Sequence, residues 1–407
     1  MLRSKQRTSD WELRSEAAPE PGRRELSLDQ LRFLQHILDL ALKDVDDWSG
    51  FTIVDQFQPA ALRYQLYEFV NVLGVYQTHF TPSFRGYASF AMRNTIEKSL
   101  VPKVMNFWKW ETLWGKFGTN YDPVIKDNIM VTGFLVQAIG IYQSTTGDDR
   151  YTKDGSIEFQ ITNRIRYKHS IHTMYKALIN NWDESDFTLY PCEPNWIYSM
   201  CNLGGMAGAT VYDRLFGTQE GRRVMRKFYR RFEEDFFTKG GSCIPIKSAL
   251  TGFTIPGLCG IVGDTTNALF CSPFMPTLAK RMWLITRGEN IHWKEDGQIE
   301  ISGLKGADKI DGGNYKPAEY GPYSVFAPAA AEWGDTKVAN ACLEKIDVTT
   351  NPKTGAKSNT GISAITQDEC PYPDLSWRRH SRTLLKTWKL YFTPDRLQEH
   401  SISLSCS

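Results

Sequence analysis

Apolar residues that return every three or four positions, in one stretch after another, constrain this chain more than any other feature. In "LSLDQLRFLQHILDLAL" the stripe is Leu31, Leu34, Leu38, Ala41 and Val45, the spacing of one face of an α-helix. Ser27 with Gln30 makes a capping box ahead of it, and Leu26 can staple against Leu31. A second stripe begins after Pro59 with Leu62, Leu66, Phe69, Leu73 and Tyr76. Further helical stretches read at about 84–106, 127–144, 157–180, 195–216, 219–237, 265–286, 322–346 and 376–391. Two regions depart from this pattern. "HWKEDGQIEISG" places Asp296-Gly297 between alternating segments, which predicts a β-hairpin. Residues 242–260, rich in Gly, Pro and β-branched residues, should be loop or short strand. The succession of helical hairpins suits a toroid of paired helices around a central cavity, but periodicity alone gives only "mostly α", which solenoids and bundles share.

A chain of 407 residues has room for a large core, and its net charge of +2 carries no electrostatic footprint for nucleic acid. Aromatic residues make up 13%, enough to line an apolar cavity or simply to fill a big core. The first 25 residues are polar and charged and are expected to be disordered. They lack the apolar stretch of a secretory signal, and no run of apolar residues is long enough to span a membrane, so a cytoplasmic location is expected. Eight cysteines are spread thinly, with no Cys-x-x-Cys and no His-x-x-x-His. Neither a disulfide framework nor a structural zinc site is expected.

The segment "YPCEPNWIYSMCN" sets Cys192 and Cys201 nine residues apart. On one continuous helix that separation is about 900°, which puts the two on opposite faces. Pro194 disfavours such a helix, because the residue before a proline avoids the α region. A loop carrying Cys192, with Asn195 capping a helix that carries Cys201 near its second turn, permits both thiols to face one cavity. The alternative is that both are small buried hydrophobes.

"CEPNWIYSMCN" followed by "VYDRLFGT" resembles the signature of the linalool dehydratase/isomerase family, and so does the upstream block "FGTNYDPVIKDNIMVTGFLVQAIGIYQSTTGDDRY". "DTTNALF" and "GADKIDGGNY" fall where that family has comparable blocks, so the resemblance covers roughly residues 57–350. It implies an all-α fold, an (α/α)6 barrel with a small β-hairpin and loop insertion, which would occupy residues 26–395 as one catalytic domain and leave 396–407 as a tail. It also implies cofactor-free loss, addition or migration of water on an isoprenoid alcohol, and a possible homo-oligomer, since the bacterial enzyme is a ring of five. Cys192 and Cys201 coincide with the family's two active-site cysteines and Met130 with its active-site methionine. Phe134 stands where a catalytic histidine is expected, and Asp264 where a tyrosine is expected. Asp44, Asp47 and Trp48 lie near the family's remaining N-terminal site residues. These departures point to a relative tuned to another isoprenoid or polyene.

Dehydrating a tertiary allylic alcohol requires an acid for the hydroxyl, walls that tolerate positive charge, and a base for the departing proton. A carboxyl in an apolar pocket keeps its proton. Asp264, at the start of the helix "TTNALF", is the expected acid, with Asn267 on the same face; otherwise Asp264 is an N-cap to Thr266 or Asn267. Met130 and Phe134, four apart, share a helix face and would floor the cavity with a sulfur and a ring, or form an ordinary core stripe. Glu193 would orient a neighbour or stay a solvated loop carboxylate. Tyr76 or His79 could replace the missing histidine, and one of Trp196 and Tyr198 should face the substrate. A cyclase that protonates a polyene is a close variant. A magnesium-dependent cyclase acting on a prenyl diphosphate is the main alternative, with "DVDDWSGFTIVD" and "FEEDFF" as acidic patches. A non-catalytic binding protein on the same toroid is a third reading.

Overall fold

The computed structural model describes residues 26, 28–51, 62–84, 86–310, 320–346, 348–350 and 357–359. Twelve α-helices occur among these residues, and they fall into six consecutive pairs. The pairs are α1 (Leu28–Ala41) and α2 (Leu62–His79), α3 (Gly86–Lys98) and α4 (Pro102–Lys116), α5 (Ile129–Thr146) and α6 (Ile171–Glu184), α7 (Ser199–Phe216) and α8 (Glu220–Asp235), α9 (Ile261–Cys271) and α10 (Pro276–Asn290), and α11 (Tyr320–Glu332) and α12 (Thr336–Leu343). Helices α2, α5, α7, α9 and α11 lie side by side in that order, each against the next. Phe33 of α1 joins the cluster around Phe326 of α11, which brings the two ends of this row together.

Burial separates inner from outer helices in the way the sequence requires. In α5 every residue from Ile129 to Tyr142 is buried, as expected of a helix apolar on all sides. Outer helix α8 is mostly charged, and only the stripe Gly221, Val224, Phe228 and Phe232 is buried. The closest helix pair, α5 and α7, meets through glycines. A Cβ on Gly133 would lie 2.5 Å from Gly205 Cα, and one on Gly208 would lie 2.5 Å from the Gly133 carbonyl oxygen. Small residues there let two backbones approach and align the N-terminal ends of both helices.

Among the described residues four antiparallel two-stranded ribbons decorate the helices: β1 (Ile157–Gln160) with β2 (Arg166–His169), β3 (Trp196–Tyr198) with β4 (Ile246–Ser248), β5 (Ile291–Trp293) with β6 (Ile299–Ile301), and β7 (Val348–Thr350) with β8 (Lys357–Asn359). The β5–β6 ribbon is the expected hairpin, with Gly297 at φ 80°. β4 falls in the stretch expected to be loop or short strand.

Several expected helices are divided or replaced. The stretch 84–106 breaks before Pro102, where Val101 is extended at ψ 162°. The stretch 265–286 starts earlier and breaks before Pro276, and 322–346 breaks at Gly334, φ 79°. Residues 157–169 form a ribbon instead of a helix. Ile157, Phe159 and Ile161 are buried in alternation, a period of two that wins over the three-four reading. In α1 the buried stripe is Phe33, Leu34, Ile37, Leu40 and Ala41, whereas Leu31 is exposed. Ser27, the expected helix 376–391 and both chain ends lie outside the described residues. No helix among the described residues is long and apolar enough to cross a membrane.

Candidate active site around two buried thiols

Two backbone segments converge at the start of α5. Asp127 and Asn128 both take left-handed φ, 61° and 58°, and Asn128 N donates to the Cys192 carbonyl at 2.9 Å. Such conformations cost about 1–3 kcal/mol each, so the surroundings must hold them. The next chain segment then turns sharply. Cys192 N donates to Trp196 O at 2.9 Å and Trp196 N to Glu193 O at 2.9 Å, with Asn195 at φ 75°. Pro at the second position and a left-handed Asn at the third are what a type II turn demands. The expected role of Asn195 as a helix cap is therefore corrected. Its Oδ1 accepts from Ser248 Oγ at 2.9 Å and Leu250 N at 3.0 Å, while α7 starts four residues later with Tyr198 as its cap. Cys201 sits in the first turn of α7 instead of the second.

Asn202 fastens this arrangement. Its Oδ1 accepts from Trp182 Nε1 at 3.2 Å and Tyr190 N at 3.1 Å, and its Nδ2 donates to the carbonyls of Tyr190 and Tyr198, both at 2.9 Å. One amide thus holds the strand before α7 to the loop that carries Cys192.

Cys192 and Cys201 are 1% and 2% exposed and are free thiols. Cys192 lies close enough to both Cys201 and Glu193 for each to act on its thiol. Burial pushes the Cys192 thiol well above its ordinary pKa, with further upward pressure from Cys201 and Glu193. Burial also raises the Glu193 carboxyl; the Arg63 guanidinium opposes this and Glu111 adds to it. Tyr64 and Tyr198 are raised by burial as well, and both feel the two thiols and Glu193. Tyr198 is thus the aromatic of the β3 pair that faces the thiols. Trp196 contributes its carbonyl to Cys192.

The wall opposite comes from α2 and α5. Arg63 is fully buried; its Nε donates to Met130 Sδ at 3.0 Å and its guanidinium lies 4.0 Å from the Phe107 ring centroid. Phe134 stacks on Tyr67 at 5.9 Å and meets Tyr64 and Phe270 edge-on at 6.3 and 6.1 Å. Gly204 of α7 makes room for it, since a Cβ there would lie 2.7 Å from the ring. Arg63, Tyr64, Tyr67 and Glu111 were missed from the sequence. The four-residue step from Arg63 to Tyr67 on the buried side of α2 was the available signal.

Asp264 and Asn267 belong to a second group. Asp264 Oδ1 accepts from Cys243 N at 2.6 Å, and Asn267 Nδ2 donates to Cys243 Sγ at 3.1 Å and Ser199 Oγ at 3.2 Å. Burial lifts Asp264 to about 6, against the amide of Cys243 and the Ser242 side chain. Its partners differ from those of Cys192. Asp264 also lies inside α9, which begins at Ile261, and caps neither Thr266 nor Asn267. Tyr76 and His79 lie near the far end of α2. Tyr76 is 12 residues from Tyr64 and His79 is 16 from Arg63, about 18 and 24 Å along a helix, so neither replaces a histidine beside the thiols. Tyr76 stacks on Phe80 at 6.4 Å. The region of Asp44, Asp47 and Trp48 surrounds Lys98 instead. That buried ammonium donates to the carbonyls of Asp44, Val45 and Asp47 and lies 4.5 Å from the Trp48 ring.

Among the described residues no group of three His, Cys, Asp or Glu side chains comes together as a metal-ligand set. A surface groove of about 590 Å³ follows the outer side of α10, lined by Lys280, Leu284 and Trp333, and includes none of the site residues.

Paired helices closing on a wall of thiols, carboxyls and aromatic rings define an α/α toroid with an enzyme-like site. The chain belongs to the linalool dehydratase/isomerase family, whose sequence pattern matches residues 63–364. Among solved structures it is similar to an unsaturated glucuronyl hydrolase specific for heparin, with TM-score 0.52 and 10% identity over 89% of this chain and 97% of that one. This likeness shows the fold alone. Two others score lower. An unsaturated glucuronyl hydrolase from Streptococcus agalactiae has TM-score 0.46 and 9% identity over 91% of this chain and 94% of that one. A family 76 α-mannanase from Bacteroides thetaiotaomicron has TM-score 0.45 and 10% identity over 87% and 96%.

Proposed function

We propose that this protein is a lyase-isomerase acting on a small isoprenoid alcohol or alkene, and that Cys192, Cys201 and Glu193 move the protons. The observation that carries this reading is the contact between two buried free thiols and a carboxyl beside aromatic rings, in a chain of this family. A thiol held above its ordinary pKa is protonated throughout the neutral range. It is therefore available as a donor, but leaves a costly thiolate. Glu193, next to it in the chain and itself raised by burial, offsets that cost by passing its own proton to Cys192 Sγ as the thiol proton moves to the substrate hydroxyl.

The steps balance. The C–O bond breaks, water leaves with the proton received, and an allylic cation remains. Tyr64, Tyr67 and Phe134 offer ring faces to that charge. Loss of a C–H proton to Cys201, returned through Cys192 to Glu193, forms the alkene and restores the site. Run backwards with water added at the other allylic carbon, the same steps isomerise the alcohol. A cyclase uses the first proton on an alkene instead, with the chain folded over the rings. These steps do not use Asp264, whose Oδ1 accepts from the amide of Cys243.

Incubation with prenyl alcohols, polyenes and prenyl diphosphates, with and without EDTA, tests the reading. Product from an alcohol or polyene that is unchanged by EDTA and lost in Cys192→Ala supports it. Product only from a diphosphate, abolished by EDTA, favours the magnesium-dependent cyclase.

A further inference from the structure

Phe107, Glu111 and Gly115 follow one another at four-residue spacing and so lie on one face of α4. The two ends of that face are pinned. Phe107 carries the Arg63 guanidinium 4.0 Å from its centroid. Gly115 touches the turn that bears Glu193 so closely that a Cβ there would stand 2.8 Å from Pro194 Cβ. Glu111, between them, therefore sits between Arg63 and Glu193. Glu193 Oε2 is buried with no hydrogen-bond partner among the described residues, which for an ionised oxygen would be expensive. The charge count has the same consequence. Among the described residues one guanidinium acts on both carboxyls, and two neighbouring carboxyls do not ionise together easily. Among the described residues the other titratable groups near the pair are Cys192, Cys201, Tyr64 and Tyr198, and none of these supplies a second positive charge. Lys116 is engaged elsewhere, 3.1 Å from Asp127.

We propose that Glu111 and Glu193 share one proton beside Arg63, with Glu193 presenting it to Cys192 and Glu111 acting as the positioning partner through which it is renewed from solvent. Glu111 suits that role because its neighbours on α4, Trp110 and Trp114, are exposed, so this helix forms the outer wall. The inference rests on the proton-transfer role proposed for Glu193, but it can fail separately. Burial raises both carboxyls, Arg63 opposes it in each, and Glu111 adds to the rise at Glu193.

Infrared titration of the resting protein reads the shared proton without any substrate. The wild-type spectrum minus that of Glu193→Gln should show a protonated-carboxyl band that persists to neutral pH. In the Glu111→Gln background the same difference should titrate lower by on the order of one pH unit, since a neighbouring negative charge is gone. Turnover, once a substrate is found, should show the limb that needs acidic Glu193 moving down by the same amount in Glu111→Gln, with KM unchanged. A Glu193 band that titrates as an ordinary carboxyl overturns the proposal, as does one that does not respond to Glu111→Gln. If the band behaves as expected and Cys192→Ala stays fully active, the proton sharing stands and the catalytic reading falls.

Discussion

Cys192 and Cys243 are both buried thiols with a carboxyl beside them, and the two carboxyls are held differently. Asp264, next to Cys243, is tied at 2.6 Å to a backbone amide, and nearby Asp308 Oδ2 accepts from the amides of Gly260 and Lys305 at 2.9 and 3.1 Å. Those bonds fix loops to the start of α9. Glu193, next to Cys192, leaves one oxygen without a hydrogen-bond partner among the described residues and feels Arg63 and Glu111. A carboxylate committed to backbone donors is a structural tie. One that shares its surroundings with a cation, a second carboxyl and two thiols is placed to exchange a proton.

The difference is largest in turnover. Cys192→Ala and Cys201→Ala should each lower it by about 10²–10⁴-fold, the usual worth of a positioned acid or base. Cys243→Ala, equally buried, should cost less than roughly tenfold on that scale; thermal unfolding of all three separates lost chemistry from lost fold. Next is the frame shared by both regions. Gly133→Ala should destabilise by about 1–3 kcal/mol, because the added methyl meets the α7 backbone; urea unfolding measures it.

A smaller effect tests the structural carboxyl. Asp264 is raised from 3.8 to about 6 on folding, so folding takes up a proton between those values. This group therefore lowers stability as pH climbs through that window and adds no further slope above it. In Asp264→Asn that part of the slope should vanish, as read by urea midpoints from pH 3.5 to 7, with turnover within a few-fold. The smallest effect is expected at the far end of α2, where His79→Ala and Tyr76→Phe should leave turnover within about twofold, as for substitutions remote from the chemistry.

How much could be read beforehand follows the same division. The thiol pair was legible because one short segment carries both sulfurs, nine residues apart, and Pro194 disfavours a straight helix through them. The helical hairpins were legible from apolar spacing, and the hairpin at Asp296-Gly297 from its turn residues. Residues 157–169 were misread because Ile157, Ile161 and Ile165 fit a helical step, while the alternation of Ile157, Phe159 and Ile161 decides the ribbon. Asp264 looked like the acid because a carboxyl at a helix start in apolar sequence fits that role. Its partner, the amide of Cys243, lies 21 residues away, and no local pattern reveals it. Arg63 and Glu111 come near Glu193 only through tertiary packing, with α4 against Pro194 at Gly115.

The central claim is that protons are handled at Cys192 and Cys201 and not at the second thiol-carboxyl group. Single-turnover alkene formation from a tertiary allylic isoprenoid alcohol tests it most directly, comparing wild type, Cys192→Ala, Cys201→Ala and Cys243→Ala at matched folded fraction. The account predicts product from wild type and Cys243→Ala and almost none from the other two. Wild-type rates in Cys192→Ala and Cys201→Ala, or loss confined to Cys243→Ala, would contradict it.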